Sequence, residues 1–169
     1  MSVLVYVENI EGKFKKSTFE VVSYAAEIAN MMGSSLTALS IGNVDAAQLA
    51  ELGKYGAKNV WTVNNDQLKS FVNQAYASII ANAAKKANAS VVVLGNSFTG
   101  KGLAPRVAVK LAAGFADAVT ELPSINAGTL TVKRGAFSGK AFATVELTSA
   151  VKVLTLSPNA YKVVEKNET

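Results

Sequence analysis

A phosphate-holding loop would be the most consequential chemistry in this chain, and one stretch has the spacing for it. Gly95-Asn-Ser-Phe-Thr-Gly100-Lys101-Gly102 reads GxxxxGK, after the apolar run Val91–Leu94 and before a helical pattern. In such loops the glycines turn backbone amides toward phosphate and the lysine reaches the outer phosphates. A serine or threonine directly after the lysine holds magnesium. Here that last position is Gly102, which has no side chain, and the nearby hydroxyl of Thr99 precedes the lysine. Pro105 is expected in the first helical turn, where it removes one amide from the helix start. The stretch reads as a flexible glycine-rich strand-to-helix loop, and nucleoside triphosphate hydrolysis is not expected.

Other chemistry is narrowed by what the chain lacks. It has 169 residues with no cysteine and no histidine. That excludes thiolate nucleophiles, disulfides, cysteine or imidazole metal ligation, and triads that use histidine as base. Carboxylates remain, but Glu8 and Asp117 stand alone in sequence and read as strand-end or turn residues. The formal charge is +5. Lys13, Lys15, Lys16, Lys101, Arg106, Lys110, Lys133, Arg134 and Lys140 are dispersed, without aromatic interleaving. Nucleic-acid binding is therefore not expected; the dispersed charges read foremost as ordinary solvated side chains, and a mild attraction to an acidic partner surface fits as well. Half the residues are apolar and 17 % are charged, which permits a substantial core in one domain. Met1 runs straight into an apolar strand, and no stretch has the pattern of a secretory signal, a transit segment or a membrane span. A soluble cytoplasmic chain is expected, with no membrane insertion.

The elements that must position any site alternate. Val3–Val7 reads as a central strand, apolar throughout. Glu11-Gly12-Lys13 reads as a turn. Ser17 or Thr18 is expected to cap a helix, with Glu20 in the reciprocal position and Phe19, Val22, Ala25, Ala26 and Ala29 buried. Met31 and Met32 are expected as core filler before Gly33. Leu36–Ile41 is a second strand, followed by a short helix that Asn43 or Asp45 caps. Residues 57–63 form a third strand, with Trp61 at a sheet end or edge. A long helix is expected after Asp66, burying Leu68, Phe71, Val72, Ala75 and Ile79. Val91–Leu94 is a fourth strand in the middle of the sheet, followed by a helix that stops at Gly114. Strand then helix, four times over, implies a parallel sheet with helices on both faces.

The rhythm changes after Asp117. Ala118–Leu122 reads as a strand. Residues 129–133, 141–147 and 151–156 are short and β-rich, which predicts an antiparallel addition. Ser157-Pro158 ends the last strand, and residues 162–169 are polar and read as a frayed end or the start of a linker.

Three stretches resemble the amino-terminal domain of the alpha subunit of electron-transfer flavoproteins. VLVYVENIEGKFKKSTFEVVSYAAEIA resembles that family's first strand, turn and helix. VVVLGNSFTGKGLAPRVAVKLAAGFADAVTEL resembles its fourth strand, Gly-Lys loop and Pro-Arg-Val-Ala helix. VKRGAFSGKAFATVELTSAVKVLTLSPNAY resembles its hairpin and final strand. Gly135 departs from the family's usual proline after the hairpin arginine, and Ala112 and Ala113 depart from its usual polar residue.

The resemblance implies a three-layer α/β/α fold with a mainly parallel sheet, of the adenine nucleotide alpha hydrolase-like kind, plus a C-terminal antiparallel addition. It implies a domain over residues 1–157, with 158–169 a polar tail or the start of a linker to an FAD-binding domain. The FAD of the full complex is expected in that second domain, not tightly bound here. The implied partners are the beta subunit and, through the full complex, flavin dehydrogenases and a quinone reductase. An electron-carrier component rather than an enzyme is expected, with no catalytic residue. Asn96, Ser97, Lys101 and Arg106 flank the loop at the sheet's carboxyl edge and are the expected surface contacts. The alternative from a different class is a free-standing adenine-nucleotide-binding module of universal-stress-protein type.

Overall fold

The computed structural model describes residues 1–68 and 70–166. Strand β1 (Ser2–Val7) is buried at every residue. A small hairpin follows, β2 (Asn9–Ile10) against β3 (Lys13–Phe14). Then come α1 (Lys16–Met31), β4 (Ser35–Ile41), α2 (Ala46–Glu51), β5 (Asn59–Val63), α3 (Asn73–Lys86), β6 (Ala89–Gly95) and α4 (Phe98–Leu111). The chain finishes with β7 (Gly114–Val119), β8 (Ser124–Asn126), β9 (Thr129–Ala136), β10 (Ala141–Leu147) and β11 (Lys152–Leu156).

The main sheet runs in the order β10-β9-β7-β11-β6-β1-β4-β5, with β8 paired to β9. The six strands from β7 to β5 are parallel to their neighbours, and β9, β10 and β8 are antiparallel. Strand β6 lies between β1 and β11, so Val91–Leu94 is central and covered on both faces, as its unbroken apolar run predicts.

The two faces carry two cores. Val3, Val5 and Val7 pack with α1 residues Val22, Ala25 and Ala29, while Leu4 and Tyr6 pack with Ile80 of α3 and Leu103 and Val107 of α4. Three layers result: α1 and α2 on one side, α3 and α4 on the other. Trp61 is on edge strand β5, as expected, with the Lys86 ammonium 5.4 Å from its ring centre.

Several expectations need correction. Helix α4 starts at Phe98, so Gly100, Lys101 and Gly102 belong to the helix and Pro105 lies inside it, not in its first turn. The helix stops at Ala112, which takes the left-handed conformation at φ 47°. Gly114 instead opens β7, where an added Cβ would lie 2.6 Å from Ser149 Oγ. Neither Ser17, Thr18 nor Glu20 caps α1. The Thr18 hydroxyl donates to the Glu8 carbonyl, and Glu20 accepts from the Asn159 amide. Met31 is exposed rather than core filler.

Helix α3 begins only at Asn73 and buries Tyr76, Ala77, Ile80, Ala81 and Ala84, leaving Phe71 and Val72 exposed before it. Asp117 is within β7, paired with Arg134, rather than in a turn ahead of the strand. The last strand, β11, is not part of the antiparallel meander. It enters the parallel sheet between β6 and β7.

Beyond β11 the chain follows α1. The Val164 amide donates to Ser23 Oγ at 3.1 Å, the Lys166 amide donates to the Lys54 carbonyl at 2.7 Å, and Tyr161 meets Tyr24 edge-on. The final part of the expected polar tail, 167–169, lies outside the described residues.

Candidate functional site

Parallel strands leave their side-chain-bearing loops at one carboxyl edge, the usual meeting place for ligands and partners. Here β1, β4 and β6 end together. Glu8 follows β1, Gly42 and Asn43 follow β4, and Asn96 and Ser97 follow β6. Between them lies a cleft of about 550 Å³ whose walls include Tyr6, Glu8, Ile10, Asn43, Phe71 and Tyr76. A smaller cavity of about 190 Å³ shares Tyr6 and Glu8 and reaches Glu20, Asn96 and Ser97 on the α1 side.

Each wall is fixed from behind. Asn9 Nδ2 donates to the Ile41 carbonyl at 2.8 Å, tying the β2–β3 hairpin to the end of β4. Gly12 is at φ 76°, and an added Cβ would lie 2.7 Å from the Asn43 carbonyl oxygen. Tyr76 OH donates to the Leu68 carbonyl at 2.9 Å, and its ring meets Phe71 edge-on at 4.9 Å. Tyr6 is 4 % exposed. Burial, then the nearby charges of Glu8 and Tyr76, push its phenol far above the ordinary tyrosine range.

The helix start that could cradle phosphate is already used. Ser97 Oγ accepts from the Gly100 amide at 2.9 Å and donates to Glu8 Oε2 at 2.6 Å. Gly100 passes so near β6 that an added Cβ would lie 1.8 Å from the Gly95 carbonyl oxygen. At 102 an added Cβ would lie 2.8 Å from Asn73 Oδ1, so a serine or threonine in that place requires the Asn73 side chain to move.

A dinucleotide's pyrophosphate fits poorly for the same reasons. Glu8 and Glu11 place two carboxylates on the cleft, and no lysine or arginine lines it among the described residues. These residues do not suit FAD.

The four expected contact residues divide into two pairs. Asn96 and Ser97 make internal bonds: Asn96 Oδ1 accepts from Thr155 Oγ1 at 3.1 Å, and Ser97 caps α4. Lys101 and Arg106 are exposed on α4, where Arg106 Nη1 donates to the Gly102 carbonyl at 2.6 Å. Tyr6, Phe71 and Tyr76 escaped sequence reasoning as cleft residues. Tyr6 alone gave a signal, as the one residue with a polar tip in the run Val3–Val7.

Apolar side chains are also exposed around the cleft. Ile10 and Phe71 on its wall are 48 % and 43 % exposed, Val72 beside Phe71 is 48 % exposed, and Phe98 beside the lining residue Thr99 is 96 % exposed. The edge thus combines exposed apolar side chains with a helix start that Ser97 already caps.

The family model described as electron transfer flavoprotein domain matches residues 3–169, and the chain belongs to that family. Within it, the chain is an alpha-subunit amino-terminal domain. It is 33 % identical over 143 residues to the lactate dehydrogenase (NAD(+),ferredoxin) subunit LctC of Acetobacterium woodii, covering 85 % of this chain and 34 % of that one. It is 32 % identical over 145 residues to Protein FixB of Clostridium saccharobutylicum, covering 85 % and 43 %. It is 26 % identical over 168 residues to the electron transfer flavoprotein subunit alpha of Clostridium acetobutylicum, covering 98 % and 50 %. The chain thus spans a third to a half of the length of these relatives.

Among solved structures, a universal stress protein in complex with cAMP is 16 % identical with a TM-score of 0.43, covering 64 % of this chain and 90 % of that one. At that score the likeness decides nothing about ligand. No helix among the described residues is long and apolar enough to cross a membrane.

Proposed function

We propose that this domain is a docking platform in an electron-transferring flavoprotein. The observation that carries the reading is the family match, which runs from residue 3 to residue 169. In the proposal, FAD sits in another domain and performs the redox chemistry, while this domain supplies binding surface. Residues 1–157 form the platform, and 158–169 are a polar tail or the start of a linker to the flavin-binding part. The beta subunit is the direct partner, and flavin dehydrogenases meet the assembled complex. The domain carries electrons only as part of that complex and catalyses nothing itself. A cytoplasmic setting belongs to the same proposal.

The apolar side chains at the carboxyl edge support this reading, because exposed Phe98, Phe71, Val72 and Ile10 have a use if a partner covers them. Lys101 and Arg106, exposed on α4, are the polar contacts proposed beside them. Co-expression with an electron-transfer-flavoprotein beta subunit tests it. Stoichiometric co-purification is expected. If a full-length alpha subunit retains the beta subunit and this chain does not, the docking role is wrong.

A further inference from the structure

The carboxyl-edge cleft is rich in acceptors, poor in donors and walled by aromatic rings. We propose that it binds a small organic cation, a guanidinium or primary ammonium, with Glu8 as counter-ion. This does not rest on the docking proposal.

Two independent observations point to such a ligand. The first is Glu8. Among the described residues its carboxylate takes one hydrogen bond, from the Ser97 hydroxyl at Oε2, and no ion pair. The carboxylate therefore faces the cleft with acceptor capacity to spare, and Glu11 adds a second negative charge on the same wall. The second is Tyr6. The residue is only 4 % exposed and lines both cavities, and its hydroxyl has no hydrogen-bond partner among the described residues. The hydroxyl oxygen is open to the cleft with its acceptor capacity unused, and a ligand N–H would fill it.

The walls complete the match. Phe71 and Tyr76 present aromatic surface, which attracts a cation through the negative ring faces. A guanidinium brings five N–H donors and no acceptor, the complement of a carboxylate beside an unbonded oxygen. An anion meets the opposite condition, with two carboxylates and no lining lysine or arginine among the described residues.

Calorimetric titration with agmatine and with putrescine, against AMP as the anionic comparison, tests the site on the intact chain. Agmatine is expected to bind and AMP is not. Glu8→Gln keeps an acceptor for Ser97 while removing the charge, and should weaken agmatine by at least about tenfold. Tyr6→Phe removes only an unbonded hydroxyl, so the fold should persist while agmatine affinity falls several-fold. No agmatine or putrescine binding by the wild type overturns the proposal, as does binding that both variants leave unchanged. AMP bound more tightly than agmatine overturns it too.

Discussion

The Ser97 hydroxyl donates to Glu8 Oε2 at 2.6 Å while its oxygen accepts the Gly100 amide at 2.9 Å. One side chain thereby joins the end of β1 to the start of α4 across 89 positions of sequence. It also uses the helix start that a phosphate would need. Replacing Ser97 with alanine removes the cap and leaves Glu8 without its donor. The expected loss is about 1–2 kcal/mol, measured by chemical denaturation. An unchanged midpoint would mean that this joint contributes nothing.

Gly100→Ala should do far more damage. Its Cβ would sit 1.8 Å from the Gly95 carbonyl oxygen, so helix and strand must separate. A loss above about 3 kcal/mol is expected, or failure to fold. Gly135→Ala is the control: an added Cβ there meets nothing within 4 Å, so the midpoint should move by less than about 0.5 kcal/mol.

Alkali should unfold the domain through its tyrosines. Burial is the leading cause that raises Tyr6, Tyr24, Tyr55, Tyr76 and Tyr161 above the ordinary 10.0. A phenol held protonated in the folded state favours folding fully below the unfolded value, and that contribution is lost as pH rises through and beyond it. Stability should therefore hold up to about pH 10 and then fall. The ultraviolet signal of tyrosinate should appear together with unfolding. Tyrosinate formation well before any loss of structure would contradict this.

Lys152 has the opposite sign. It is 5 % exposed in β11, its ammonium donates to the Gly128 carbonyl, and burial lowers it from the ordinary 10.5. Below its folded value both states are charged and the folded state carries the whole desolvation cost. That cost fades as pH rises from the folded value toward 10.5. Lys152→Met should therefore stabilise by about 1 kcal/mol at neutral pH, with an advantage that shrinks toward alkaline pH. Both proteins share the tyrosines, so the difference between their denaturation midpoints isolates the lysine.

Much of this architecture can be read from periodicity. Val3–Val7 and Val91–Leu94 are unbroken apolar runs, and such runs belong in the middle of a parallel sheet. The errors arose where tertiary contact outweighs local pattern. Phe71 and Val72 continue a helical apolar stripe, yet they sit exposed ahead of α3. Gly100 and Gly102 look like loop residues, but they serve close helix-to-strand and helix-to-helix approach.

Strand β11 could not be placed by pattern, because a short apolar run does not state whether its neighbours are parallel. The cleft was hidden for a related reason. Tyr6, Glu8, Asn43 and Tyr76 are far apart in sequence, and only the sheet order brings them together. The family resemblance was legible because its three stretches keep their order along nearly the whole chain.

The most direct test of the platform reading is the affinity of the beta subunit for this chain and for Phe98→Asp. Phe98 is 96 % exposed, so a charge there should leave stability untouched. The account predicts saturable binding by the wild type, weakened by at least about tenfold in the variant. Equal affinity in the two proteins would contradict docking through the carboxyl edge.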